Sequence, residues 1–341
     1  MSSPMGWGIA VVVMGGLLNG SFAAPTKRMS AWRWENTWLI FCLTGLVIIP
    51  WVFAGATVPH LGSVYQGSSW STLLKVALSG FGWGLGATLF GLGIDRVGMA
   101  LGFAIILGIT SSVGSLLPLA VLHSEQLLTR RGFALIAGTL VMVLGLVFLT
   151  IAGRRREREV AGVAQNAPRS GFALGLVICI FAGIFSAMLN FCFLFGDELK
   201  QRALAQGASV PMASNPIWSL AVSAGFLINA AYCAYLLNKN RTWHLFSLAR
   251  APAGCWFGGA LMGLLWFGGI AVYGMGATSL GSLGGIIGWP VFMSMDIVTG
   301  FFWGAVTGEW KGASRRSFAF CWIGIGILLL AIYVVSKGSA A

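Results

Sequence analysis

Ten apolar runs, each long enough to cross a bilayer as a helix, set what this chain can fold into. They fall at about residues 5–24, 35–55, 71–93, 98–121, 132–152, 171–195, 214–237, 252–275, 281–307 and 317–336. A hydrocarbon core about 30 Å thick takes about 20 apolar residues of helix. Within it only helices and closed barrels satisfy the backbone. No run alternates apolar and polar residues as a barrel strand does. The expected class is an all-α membrane protein with ten transmembrane helices. Composition agrees: 57% of residues are hydrophobic and 9% charged, against about 25% charged in soluble domains. The first run has no basic residue before it, the first being Lys27, so it reads as a retained span rather than a cleaved signal peptide.

The polar stretch from Gly153 through Arg154, Arg155, Arg156, Glu157, Arg158 and Glu159 to Arg169 divides five spans from five. The expected organisation is a first five-helix repeat (1–153), a basic cytoplasmic linker (154–170) and a second five-helix repeat (171–341). Five spans per half make the second half enter from the opposite side, giving two inverted repeats. Fifteen of the 21 Lys and Arg lie in loops after odd-numbered spans, and six lie on the other side. Basic residues in short loops stay cytoplasmic, so both termini are expected outside the cytoplasm. The net charge of +12 is explained by this bias and by anionic lipid, without nucleic acid.

The ninth span holds the chain's most costly residue. Leu280–Gly308 carries seven glycines, the pair Trp289-Pro290 and one carboxylate, Asp296. An aspartate at mid-span costs roughly 2.5–3.5 kcal/mol on insertion scales. Such a group is a functional candidate by default; the alternative is a hydrogen-bonded Asp that only joins helices. Glu35, which opens the second span beside Arg33 and Lys27, is the other acidic candidate. It reads either as part of an ion-pair gate with Lys27 and Arg33 at the cytoplasmic mouth or as a helix N-terminal acid favoured by the macrodipole.

Other chemistries find no support in the sequence. The six cysteines lie inside apolar spans with no CxxC pair, and the three histidines are scattered, so neither a disulfide framework nor a metal site is expected. No nucleotide-binding motif occurs. A membrane-embedded enzyme would need a cluster of catalytic polar residues, which these histidines and nine acids do not form. No cofactor is expected.

After the first span comes Ala24-Pro25-Thr26-Lys27-Arg28, then Trp32-Arg33-Trp34-Glu35-Asn36-Thr37-Trp38. This string resembles the L-rhamnose–proton symporter family of the drug/metabolite transporter superfamily. The likeness continues through Trp83-Gly84-Leu85-Gly86, Gly98-Met99-Ala100-Leu101-Gly102, Gly183-Ile184-Phe185-Ser186-Ala187, Glu309-Trp310 and Arg315-Arg316. The resemblance implies uptake of L-rhamnose or a related deoxy sugar with protons across the bacterial inner membrane. The other reading within transport is an exporter or metabolite exchanger of the same superfamily.

A neutral sugar needs hydroxyl partners and a flat apolar face. Asn offers donor and acceptor together, and an aromatic ring stacks on the C–H face of a pyranose. The mid-span candidates for sugar binding are Asn19, Trp83, Asn190, Trp218, Asn229, Trp266 and Trp289. Each has a structural alternative, as interhelical hydrogen bond or interface marker. The coupling proton needs a titrating group, for which Asp296 is the deepest candidate and Glu35 the next.

Overall fold

The computed structural model describes residues 4–161, 171–247 and 252–339. These form α1 (Pro4–Gly20), α2 (Trp34–Leu43), α3 (Ile49–Thr57), α4 (Leu61–Gly67), α5 (Trp70–Val97), α6 (Met99–Leu122) and α7 (Arg130–Ala161). They continue with α8 (Phe172–Phe195), α9 (Asp197–Ala205), α10 (Asn215–Asn240), α11 (Ala253–Ser279), α12 (Gly284–Val306) and α13 (Arg315–Ser339). Ten stretches among the described residues are long and apolar enough to cross a membrane, one for each expected run; α2 and α3 together make the second. The protein is a multi-pass membrane protein. The expected linker 154–170 starts as helix, because α7 continues through Arg154 to Ala161; its remainder, 162–170, lies outside the described residues.

Prolines shape two spans, and a third span accommodates one without a break. A proline at position i leaves the carbonyl of i−4 without its helical donor. Pro50 frees Leu46 O, and a π-helical turn at Thr44–Ile48 joins α2 to α3 there. Ser223 Oγ of α10 donates to that carbonyl at 3.1 Å. Pro118, inside α6, frees Gly114 O, which accepts from Asn190 Nδ2 of α8 at 2.8 Å. Pro290 lies inside α12, which runs as one α-helix from Gly284 to Val306. The turn from α5 to α6 is the single residue Gly98, at φ 93°, a conformation that suits glycine.

Apolar helices in lipid gain little by burying apolar surface against each other, so close approach depends on small residues. The contacts here form two matching sets. α1 packs on α11 and α12, as α8 packs on α5 and α6. A methyl on Gly16 of α1 would sit 2.8 Å from Phe292 O and 2.7 Å from Met295 Cβ of α12. One on Gly183 of α8 would sit 2.9 Å from Ile106 O and 2.7 Å from Ile109 Cβ of α6. Gly269 of α11 faces Asn19 N (2.7 Å), and Gly86 of α5 faces Ser186 N (2.6 Å). Gly45 lies against Gly263, and Gly225 against Gly80 O. Every one of these contacts recurs between the spans five places along.

Candidate functional site

Between the helices lies a cavity of about 620 Å³, lined chiefly by α12, α7, α6 and α5, with α1, α2, α8 and α11 contributing further residues. One end reaches the exposed residues Ala23, Thr26, Lys27 and Thr307; this is the mouth. The opposite end is sealed by a layer in which Asn190, Trp218, Tyr273 and Trp289 are each at most 2% exposed.

One wall is aromatic. Trp83 of α5 and Trp266 of α11 stack with ring centroids 5.0 Å apart and planes 28° apart. Phe41 meets Trp266 edge-on, and Trp38 tilts against Phe41. Asn229 holds Trp38 in place: its Oδ1 accepts from Trp38 Nε1 at 3.1 Å, while its Nδ2 donates to Gly225 O at 3.0 Å. The facing wall is Trp289 and Phe292 of α12, stacked at 5.8 Å. Trp289 Nε1 donates to Thr110 O at 3.1 Å.

Asp296 is half-buried and lines this cavity. It makes no hydrogen bond or ion pair among the described residues. Gly16 and Gly20 bring α1 against α12 beside it: a methyl on Gly20 would meet Asp296 O and lie 2.6 Å from Thr299 Cβ. Asn19, the next residue on α1, lines the cavity and donates from Nδ2 to Trp266 O at 3.0 Å. Its Oδ1, the hydroxyl of Ser186 and the Asp296 carboxylate have no partner among the described residues. Three free acceptors therefore face a chamber that is otherwise mainly apolar.

The profile of the L-rhamnose-proton symport protein family matches residues 1–341. The chain belongs to that family. A symporter of this name from Escherichia coli O17:K52:H18 is 30% identical over 349 aligned positions, covering the whole of both chains. One from Shigella boydii serotype 18 is 30% identical over 346 and one from Citrobacter koseri 29% over 347, again covering both chains completely. The family is one of transporters, which disfavours the reading as a membrane-embedded enzyme.

Within this member of the family the sequence candidates separate into two groups. Asn19, Trp83, Asn229, Trp266, Trp289 and Asp296 come together on the cavity. Asn190, Trp218, Glu35 and Arg33 do not. Asn190 is fully buried in the sealing layer: Nδ2 donates to Gly114 O (2.8 Å) and Gly285 O (3.0 Å), and Oδ1 accepts from Tyr273 Oη at 2.6 Å. It ties α8 to α6, α11 and α12. Trp218 stacks on Phe193 in the same layer. Glu35 is buried away from the cavity, where Oε1 accepts from Asn240 Nδ2 (3.0 Å) and Thr242 Oγ1 (2.8 Å). It holds the loop after α10 onto α2. Arg33 is exposed at the start of α2. Lys27 does stand at the mouth, but its partner is Glu309 at 2.5 Å rather than Glu35. Arg156 Nε donates to Glu309 O at 2.5 Å, and its guanidinium lies over the Trp310 ring.

Sequence reasoning missed Tyr273, Glu309, Arg156 and Trp38. Glu309 and Trp38 both stand in the strings that carry the family likeness. Tyr273 had no such signal, since its role rests on a partner 83 residues away.

Proposed function

We propose that this chain is a proton-coupled importer of L-rhamnose or a related deoxy sugar in the bacterial inner membrane. Membership of the symport family supports this, together with relatives of that name over the full length. The observation that carries it is the unpaired Asp296 carboxylate at mid-span on an aromatic-walled cavity. A deoxy sugar presents hydroxyl donors on its rim and C–H bonds on its ring face and methyl. Asp296, Asn19 Oδ1 and Ser186 Oγ supply acceptors for the first; Trp83 and Trp266 supply a surface for the second. Asp296 takes the coupling proton. Glu35, already bonded through Oε1 to Asn240 and Thr242, is the weaker candidate.

The two halves act as inverted repeats, the boundary lying in 154–170. The recurrence of contacts five spans along supports this division. With the basic loops in the cytoplasm both termini face the periplasm, and the cavity opens inward with Lys27 and Glu309 at its mouth. Transport then needs the sealed end to open in turn. Uptake of labelled rhamnose into proteoliposomes tests the reading. Accumulation should require an imposed proton gradient and collapse with a protonophore; gradient-independent uptake would reject proton coupling.

A further inference from the structure

The geometry points to a second sugar-facing surface at the sealed end: Trp218, Tyr273, Gly285 and Trp289 line it when that end opens, and Trp38, Phe90, Met99 and Phe103 then close the mouth as their counterparts. This rests on the transport reading above and extends it to the state in which the cavity faces the other way.

The correspondence is set by the matched glycine contacts. Gly86 and Gly93 of α5 touch Ser186 and Cys179 of α8, as Gly269 and Gly276 of α11 touch Asn19 and Val12 of α1. Phe90 of α5 therefore stands where Tyr273 stands on α11. The contacts of Gly16 and Gly183 equate Ile106 and Ile109 of α6 with Phe292 and Met295 of α12. At the same interval Met99 corresponds to Gly285 and Phe103 to Trp289. Gly45 and Gly225 relate α2 to α10, and Trp38 to Trp218. Trp218, Tyr273, Gly285 and Trp289 thus each have a helical counterpart, and all four counterparts line the open cavity near its mouth.

What differs between the two ends identifies the moving parts. Tyr273 meets Trp289 edge-on at 5.6 Å, and Phe90 meets Phe103 edge-on at 5.0 Å. These pairs are alike at both ends, so α5 with α6, and α11 with α12, behave as fixed units. Trp218 lies 6.0 Å from Tyr273; its counterpart Trp38 makes no ring contact with Phe90. The gap is therefore between α2 and α5, and closing it gives the mouth the packing that the sealed end has now. Met99 is 56% exposed, whereas Gly285 is buried. One element has no counterpart. α1 ends at Gly20, whereas α8 stays helical through Asn190, so the hydrogen-bonded clasp of Asn190 and Tyr273 latches the sealed end alone. The equivalent of Asp296 is Thr110, whose hydroxyl donates to Gly183 O, so only one half carries an ionisable group at this position.

The test places two cysteines in one protein, Ser214→Cys and Met99→Cys. Ser214 is fully buried at the start of α10, and its hydroxyl has no partner among the described residues, so the exchange costs no hydrogen bond. A bulky membrane-impermeant maleimide, applied to cells from the sealed-end side, traps Ser214→Cys whenever α10 leaves α11. Membranes are then opened and the reactivity of Met99→Cys is measured. The proposal expects the trapped protein to react at Met99→Cys slower by about tenfold or more, because one end opens only as the other shuts. Unchanged reactivity at Met99→Cys after trapping would overturn it. No sugar is present during labelling, so a wrong substrate assignment leaves this outcome untouched.

Discussion

Removing the hydroxyl of Tyr273 is the cleanest way to loosen the sealed end. Tyr273→Phe keeps the ring contacts to Trp289 and Phe292 and deletes the 2.6 Å hydrogen bond to Asn190 Oδ1. A polar side-chain contact between membrane helices is worth about 0.6 kcal/mol on average and about 1.7 at most. The bond here is short and fully buried, and its loss strands Asn190 Oδ1, so the upper part of that range applies. At 1.4 kcal/mol per tenfold, about 1.2–1.7 kcal/mol should raise the ratio of open to sealed about seven- to sixteenfold. Asn190→Ala removes three bonds and strands Gly114 O, which Pro118 has deprived of its helical donor; its effect should exceed that of Tyr273→Phe by about tenfold or more. The assay is the modification rate of Ser214→Cys by an impermeant maleimide, which proceeds through the opened end and so scales with its population. Equal rates in wild type, Tyr273→Phe and Asn190→Ala would refute the clasp as a latch.

Three further outcomes follow from the same geometry. Trp83→Ala removes one ring of the stacked wall and should raise the half-saturating rhamnose concentration about two- to tenfold, an aromatic contact being worth about 0.5–1.5 kcal/mol; counterflow in proteoliposomes measures it. Lys27→Met breaks an ion pair whose side chains are 50% and 35% exposed, so thermal unfolding should move by less than about 1 kcal/mol, and a larger loss would give Lys27 a role beyond that pair. On intact cells an impermeant thiol reagent should modify Gln66→Cys, on the exposed face of α4, and spare Ser30→Cys in the loop after α1; the reverse pattern would invert the orientation.

How far the sequence carries depends on the range of the interaction. Spans are local: a run of about 20 apolar residues has one use in a membrane, and all ten runs appear as helices. Asp296 was also legible, because an isolated mid-span carboxylate is costly enough to need a reason, and it does line the cavity. Asn190 was legible as buried and polar but not as a clasp, since two of its partners are backbone carbonyls on α6 and α12. Glu35 looked poised beside Lys27 because both flank one loop; the segment after α10, which returns over α2 and takes its hydrogen bonds, cannot be read from spacing. The same holds for Lys27 and Glu309, which meet across 282 positions of chain. The glycines told only that helices approach closely. Their pairing, which relates one half to the other, emerged from the contacts.

Asp296→Asn, measured in two modes, separates sugar binding from proton coupling. The change keeps size and polarity and removes the titrating group. Reconstituted Asp296→Asn should still exchange labelled for unlabelled rhamnose in counterflow, because the Trp83–Trp266 wall and Asn19 are unchanged. It should fail to accumulate rhamnose under an imposed proton gradient, and sugar addition should no longer drive proton uptake. A mutant that concentrates rhamnose with undiminished proton uptake would refute Asp296 as the coupling group and move the coupling site to another residue.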